Sequence, residues 1–364
     1  MADLKPAGRL PLLILGMLAL VVGTLAGLAR LGWAVPAPAA AQAGAHGALM
    51  IAAFFGTVIS LERAVALARL WAYLGPACAG LGGLALLVGA PSLVGPGLLV
   101  VAAGILVAGS GVVIGRLLAP FTVVLALGAG AWLVGNLIWL AGGDITAAVP
   151  WWLAFLVLTI AGERLELTRF LPTPQAAKRL FLALVALVLG GAALALIRPD
   201  AGLRLFAGGL LALALWLLRY DIARRNAGQG ALTGYIARCL LSGYGWLLAA
   251  GLLGLAGAFL PGHPWRDAAL HAVGLGFVFA MVFGHAPIIF PAVARVKIPY
   301  HPAFYLPLAL LHLALLARCL GVFADDLALR QGAAVANGAV LLLFIVIMLA
   351  SVVRGRQTPA RRSP

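Results

Sequence analysis

Two of the six histidines in this 364-residue chain stand where an imidazole can do metal chemistry. His46 opens the apolar stretch "HGALMIAAFFGTVIS", and His271 begins a second one, "HAVGLGFVFAMVFGHAPIIF". Each lies within a turn or two of the same end of its run, and both runs point in the same direction, so the two rings sit at matched depth. Two imidazoles on facing helices can supply both axial ligands of one haem iron, with an apolar bundle enclosing the macrocycle. The competing reading makes each an interfacial histidine bonded to a loop carbonyl, and depth alone does not choose between them.

His285 lies fourteen residues beyond His271, about 21 Å along a helix, so the two cannot bind one metal atom. It is either a second metal site near the opposite face or a helix-end residue beside breaks at Pro287 and Pro291; with no partner histidine at its depth, we favour the helix end. His263 and His301 fall in connecting segments and read as solvated or interfacial. His312 lies mid-span, where a hydrogen bond to a neighbouring helix is the simpler role.

Charged residues form the other chemical group. Glu62–Arg63 ends the segment "TVISLERAVALARL", and Glu163–Arg164 ends "VLTIAGERLELTRFL". Glu62 is sixteen residues from His46, about 24 Å away, and so cannot reach a site built on that histidine. Adjacent residues on a helix point apart, so the expected arrangement is crossed: Glu62 with Arg164, and Glu163 with Arg63. We favour such buried charge pairs, with a structural role, over a proton relay.

These residues must be positioned by membrane helices. The chain is 64% hydrophobic and 10% charged, against about 45–50% and about 25% in soluble domains. Twelve spans are predicted, at about 10–30, 46–68, 71–90, 95–115, 119–141, 147–168, 179–197, 201–219, 233–260, 268–290, 302–323 and 332–353. The connections are short, so the whole chain, 1–364, is one all-α integral membrane domain in a lipid bilayer. "VPAPAAAQAG" before His46 is predicted to be an extended loop. Gly111 and Gly115, four apart, predict a close helix approach, and Asn136 and Tyr244 interhelical hydrogen bonds. Cys78, Cys239 and Cys319 have no paired spacing.

The formal charge of +15 comes from basic residues scattered singly between apolar runs, which argues against a nucleic-acid surface. With the N-terminus inside, nineteen of the 25 Lys and Arg residues fall on the inner side, the tail arginines 354, 356, 361 and 362 included. The expected topology therefore has both termini cytoplasmic, as in a bacterial inner membrane.

Spans two and six both end in Glu-Arg, and spans two and ten both begin with histidine. Spans two, six and ten follow one another at intervals of four helices, which predicts three four-helix units, about 10–115, 119–225 and 233–353, in a pseudo-threefold arrangement.

Twelve spans with histidines at the outer ends of spans two and ten resemble the haem-copper oxidase catalytic-subunit architecture, in which these two helices ligate the low-spin haem. The local sequences "AHGALMIAAFFGTVI" and "LHAVGLGFVFAMVFGHAPIIF" are similar to the NnrS family, membrane haem proteins associated with nitric oxide metabolism. The resemblance implies haem b held by His46 and His271. Copper stays open, because the resemblance supplies no complete copper ligand set. Haem-copper oxidases carry a histidine on span six, a His-His pair on span seven and a second histidine near the first on span ten; here Glu163 and Arg164 stand on span six, and the other positions lack histidine. The binuclear centre is incomplete, which removes the terminal-oxidase and conventional nitric oxide reductase readings. The NnrS pattern is incomplete as well, since Gly47 and Ala48 follow His46 where a second histidine is usual.

The expected function is therefore haem binding in electron transfer, or in nitric oxide metabolism or response, with nitric oxide or a redox partner as the interacting species. A secondary transporter with a helix broken at Pro287 and Pro291 is the alternative from another class. A non-catalytic accessory subunit of a respiratory complex is the third.

Overall fold

The structure is a computed structural model that describes residues 3–142, 145–169 and 171–357. Arg361 and Arg362 lie outside the described residues. The protein is 84% helical; among the described residues there is no strand, and twelve helices are long and apolar enough to cross a membrane. They are α1 (Pro6–Ala29), α2 (Ala48–Leu67), α3 (Leu70–Leu87), α4 (Val94–Arg116), α5 (Pro120–Gly142), α6 (Ile145–Thr168), α7 (Gln175–Leu194), α8 (Pro199–Tyr220), α9 (Ala231–Leu255), α10 (Arg266–Ala294), α11 (Pro302–Phe323) and α12 (Leu327–Gln357). Each closes its own backbone hydrogen bonds, as a chain in hydrocarbon must. The protein is an integral membrane protein. An even number of crossings puts both termini on one face, which we call the inner face.

Three helices form the centre. The most apolar stretches of α2, α6 and α10 are 61%, 67% and 67% buried, while those of the other nine range from 33% to 56%. These three touch one another, and with three helices between successive members they run parallel. The remaining nine surround them: α1 packs on α2 and α3, α5 on α6, α9 on α10, and α11 on α12.

Polar residues tie the bundle together at a few points. Asn136 of α5 donates to the Leu99 carbonyl of α4 at 3.0 Å and accepts from the Trp152 indole of α6 at 2.9 Å, which is the interhelical role expected of it. His312 of α11 accepts from the Trp246 indole at 3.0 Å, and its Nε2 is 2.9 Å from the Ser242 hydroxyl, so both nitrogens bind α9. Arg9 is buried, where it binds Asp3 and the Val293 carbonyl; Asp3 in turn accepts from Tyr73, so the start of α1 is clamped to α3 and α10.

Three local expectations are corrected. The segment before His46 is not extended: Ala37–Ala40 makes a helical turn and Ala43–Ala45 a 3-10 turn. Pro36 and Pro38 fall before and within the first turn, where no N–H is needed, and alanine then favours helix. Gly111 and Gly115 face outward, where a Cβ would meet nothing within 4 Å, so they mediate no helix contact. Finally, α10 is not broken at Pro287 and Pro291 but runs through both to Ala294. Pro287 cannot donate to the Phe283 carbonyl one turn back, and the Tyr235 hydroxyl of α9 donates to that oxygen instead, at 3.2 Å. The helix ends at Arg295, in the left-handed conformation.

Candidate functional site

At the outer face, α1, α2 and α10 bring His46 and His271 together. His46 follows the 3-10 turn and lays its ring against α1, with Nδ1 2.7 Å from the Gly23 carbonyl oxygen. A Cβ at Gly27 would come within 2.8 Å of that ring, so the approach depends on glycine there. His271 lies one turn into α10. Its Nδ1 is 2.8 Å from the Asp267 carbonyl oxygen and 3.3 Å from the Asp267 carboxylate. Arg318 of α11 grips the same carboxylate with two bonds, at 2.7 and 2.8 Å.

Carbonyl oxygens only accept, so in both rings Nδ1 carries a proton, and Nε2 is the nitrogen left to meet a ligand. Neither Nε2 has a hydrogen-bond partner among the described residues. The ring centroids are 6.2 Å apart and the planes are inclined by 22°. A metal–imidazole bond is about 2 Å long and the ring centre lies ~1 Å behind the nitrogen, so two imidazoles on one ion hold their centres about 6 Å apart. The observed separation of the ring centres matches that value.

Within two residues of each histidine the helix widens into a π segment, Ala48–Phe55 in α2 and Ala272–Phe279 in α10. Such segments are frequent at functional sites, and these are the π-helical segments among the described residues. They bring Phe54, Phe55 and Phe279 into mutual contact below the histidines, with centroids 4.7 to 6.1 Å apart. Both imidazoles line a cavity of about 430 Å³, a size usual for ligand and cofactor sites. Met50, Phe55, Leu153, Leu156 and Phe279 make its deep walls apolar, while Arg30, Arg266, Arg318 and Arg330 stand around its outer end.

A family model matches residues 9–353, a span that reaches from α1 into α12 and includes both histidines. The chain belongs to the family described as a domain of unknown function (DUF8744). No curated protein matches it.

In this DUF8744 chain the inner ends of the central helices hold a second polar group. His285 donates through Nδ1 to the Met281 carbonyl at 2.8 Å, and its Nε2 accepts from Arg164 at 3.3 Å. With both nitrogens engaged and a guanidinium at the lone pair, His285 is not a metal ligand here, and it is not at a helix break. No group of three or more His, Cys, Asp or Glu side chains able to hold a metal ion occurs among the described residues. The crossed pairs are not formed either: no ion pair joins Glu62 to Arg164 or Glu163 to Arg63. Arg164 turns to α10 instead, and Glu62 and Glu163 form no ion pair among the described residues.

Several site residues escaped the sequence reading. Asp267 was visible as the residue four before His271, a one-turn spacing that lets a carboxylate reach the ring. Arg318, a single cation within an apolar run, was also a usable signal, because such a residue needs a buried partner. Gly23, Gly27 and the π segments left no mark, since each matters only through what packs against it.

Proposed function

We propose that this protein binds haem b between His46 and His271 and exchanges electrons through it at the outer face of the membrane. The observation that carries the reading is the ring pair, 6.2 Å apart, with both Nδ1 atoms tied to carbonyl oxygens. That hydrogen bonding orients each ring and directs Nε2 to the metal, the usual second-shell arrangement for a ligating histidine. The apolar depth of the cavity suits the macrocycle, and the arginines at its outer end suit the carboxylates on the edge of the porphyrin. No C-x-x-C-H sequence is present for covalent attachment. Bound haem would supply one-electron chemistry. The chain's own part is to orient both rings, exclude water through the Phe54, Phe55 and Phe279 cluster, and balance charge through Arg318 and Asp267.

Haem held by both His46 and His271 would supply electron transfer rather than gas binding. A bacterial inner membrane with both termini cytoplasmic completes the reading, from the placement of basic residues. Protein purified in detergent with haem supplied should show a strong Soret band, and His46→Ala or His271→Ala should abolish or shift it. An unchanged spectrum in both variants rejects the ligand assignment. A colourless protein that accumulates a solute in proteoliposomes would favour the transporter instead.

A further inference from the structure

The two buried asparagines among the described residues are treated in opposite ways. Asn136 has both ends of its amide bonded, the nitrogen to the Leu99 carbonyl and the oxygen to the Trp152 indole. Asn337 of α12 has neither: its Nδ2 and Oδ1 are both buried without a hydrogen-bond partner, and the residue is 4% exposed. An unmade donor and an unmade acceptor are costly inside an apolar bundle. A side chain in that state points to a partner from outside the chain.

Asn337 lines the outer cavity. So do Arg330, Ala334 and Leu341 of the same helix, and the spacing of four, three and four residues puts all of them on one helix face. Because α12 begins at the outer face, this stripe runs from a cation through an amide to a leucine with increasing depth. Arg330 Nε is likewise buried without a partner. Seven residues separate the arginine from the asparagine, about 10 Å of rise. Helical side chains lean toward the N-terminus of their helix, so the amide tilts outward, toward the level of the arginines.

Asn337 also lies at the depth of His46. A Cβ on the adjacent Gly338 would come within 3.2 Å of the Thr24 methyl, and Thr24 follows Gly23, whose carbonyl holds the His46 ring. Thr24 donates its own hydroxyl to the Leu20 carbonyl at 2.8 Å, and no hydrogen bond joins it to Asn337.

With haem b in this cavity, the reading on which this inference rests, the ring edge carries methyl, vinyl and propionate groups. Of these only the propionate carboxylates accept a hydrogen bond. We infer that Asn337 donates through Nδ2 to a carboxylate of haem, and that the cavity thereby recognises a porphyrin by its acidic edge. The bond is charge-assisted and therefore stronger than one between neutral groups. Water beside the carboxylate is the donor for Oδ1.

Binding of haem and of haem dimethyl ester, in which both carboxylates are esterified, to the full-length protein in detergent tests it, with Asn337→Leu as the variant. Esterification and the substitution remove the same bond, so their effects should not add. The unmodified protein should prefer haem to the ester, and Asn337→Leu should shrink that preference about tenfold, by weakening haem and leaving the ester unchanged. The haem-free variant should melt no lower than the unmodified protein, because an apolar side chain of similar shape replaces polar atoms that had no partner. A preference that is absent, or the same in the variant, overturns the carboxylate contact while the haem reading stands. A haem-free variant that melts lower or does not fold overturns it too, since the amide is then bonded within the protein. Unmodified protein that takes up neither compound rejects the haem reading and this inference with it.

Discussion

The outer and inner ends of α2 and α10 are built from similar residue types and do opposite things with them. Outside, His46 and His271 each bond a carbonyl oxygen through Nδ1 and turn an unpaired Nε2 toward a cavity. Inside, His285 bonds a carbonyl in the same way, but its Nε2 is occupied by Arg164. One neighbouring cation separates a ring with a free lone pair from one without. The carboxylates differ too: Asp267 is gripped by Arg318, whereas Glu62 and Glu163 have no ion pair among the described residues. A histidine or a glutamate in a membrane helix therefore acquires its role from the partner across the bundle.

The largest expected effect tests this division directly. His46→Ala or His271→Ala should remove nearly all bound haem, while Glu62→Gln and Glu163→Gln should leave the haem content per chain unchanged. Pyridine haemochrome assay of all four variants measures this, and haem lost equally from outer and inner variants would erase the distinction. Asp267→Asn comes next. It removes the anion behind His271 and should weaken haem retention roughly 10–100-fold, the usual cost of losing such a support, and raise the midpoint potential, since an anion there favours the oxidised iron. Redox titration reads the shift.

Gly27→Ala should displace His46 from α1 and destabilise the outer end by about 1–3 kcal/mol, as overpacking does; a lowered melting temperature together with a broadened Soret band would register both. The smallest effect belongs to Tyr235→Phe. It leaves the Phe283 carbonyl beside Pro287 without its donor and should cost about 1 kcal/mol, with the absorption spectrum unchanged. A spectral change there would mean that the inner half of α10 controls the outer site.

Most of the fold was legible from the chain, because every span must carry about 20 apolar residues and the connections between spans are short. Boundaries moved by a few residues, and α9 is shorter than expected, ending at Leu255. Two signals were misleading. Pro287 and Pro291 resembled a break, but Tyr235, far away in the sequence, satisfies the carbonyl that proline leaves free. Gly111 and Gly115 had the spacing of a contact face but point outward. Both errors have one cause, since a local pattern states what a helix can do and its neighbours decide whether it is used.

Composition, span number and the matched depth of His46 and His271 were properties of the sequence alone, because each follows from residue type and from distance along a helix. The chain could not show that those rings stand 6.2 Å apart, that Gly27 makes room for one of them, or that Arg164 turns to His285 rather than to Glu62. These depend on which faces of non-adjacent helices meet, and only the packed bundle decides that.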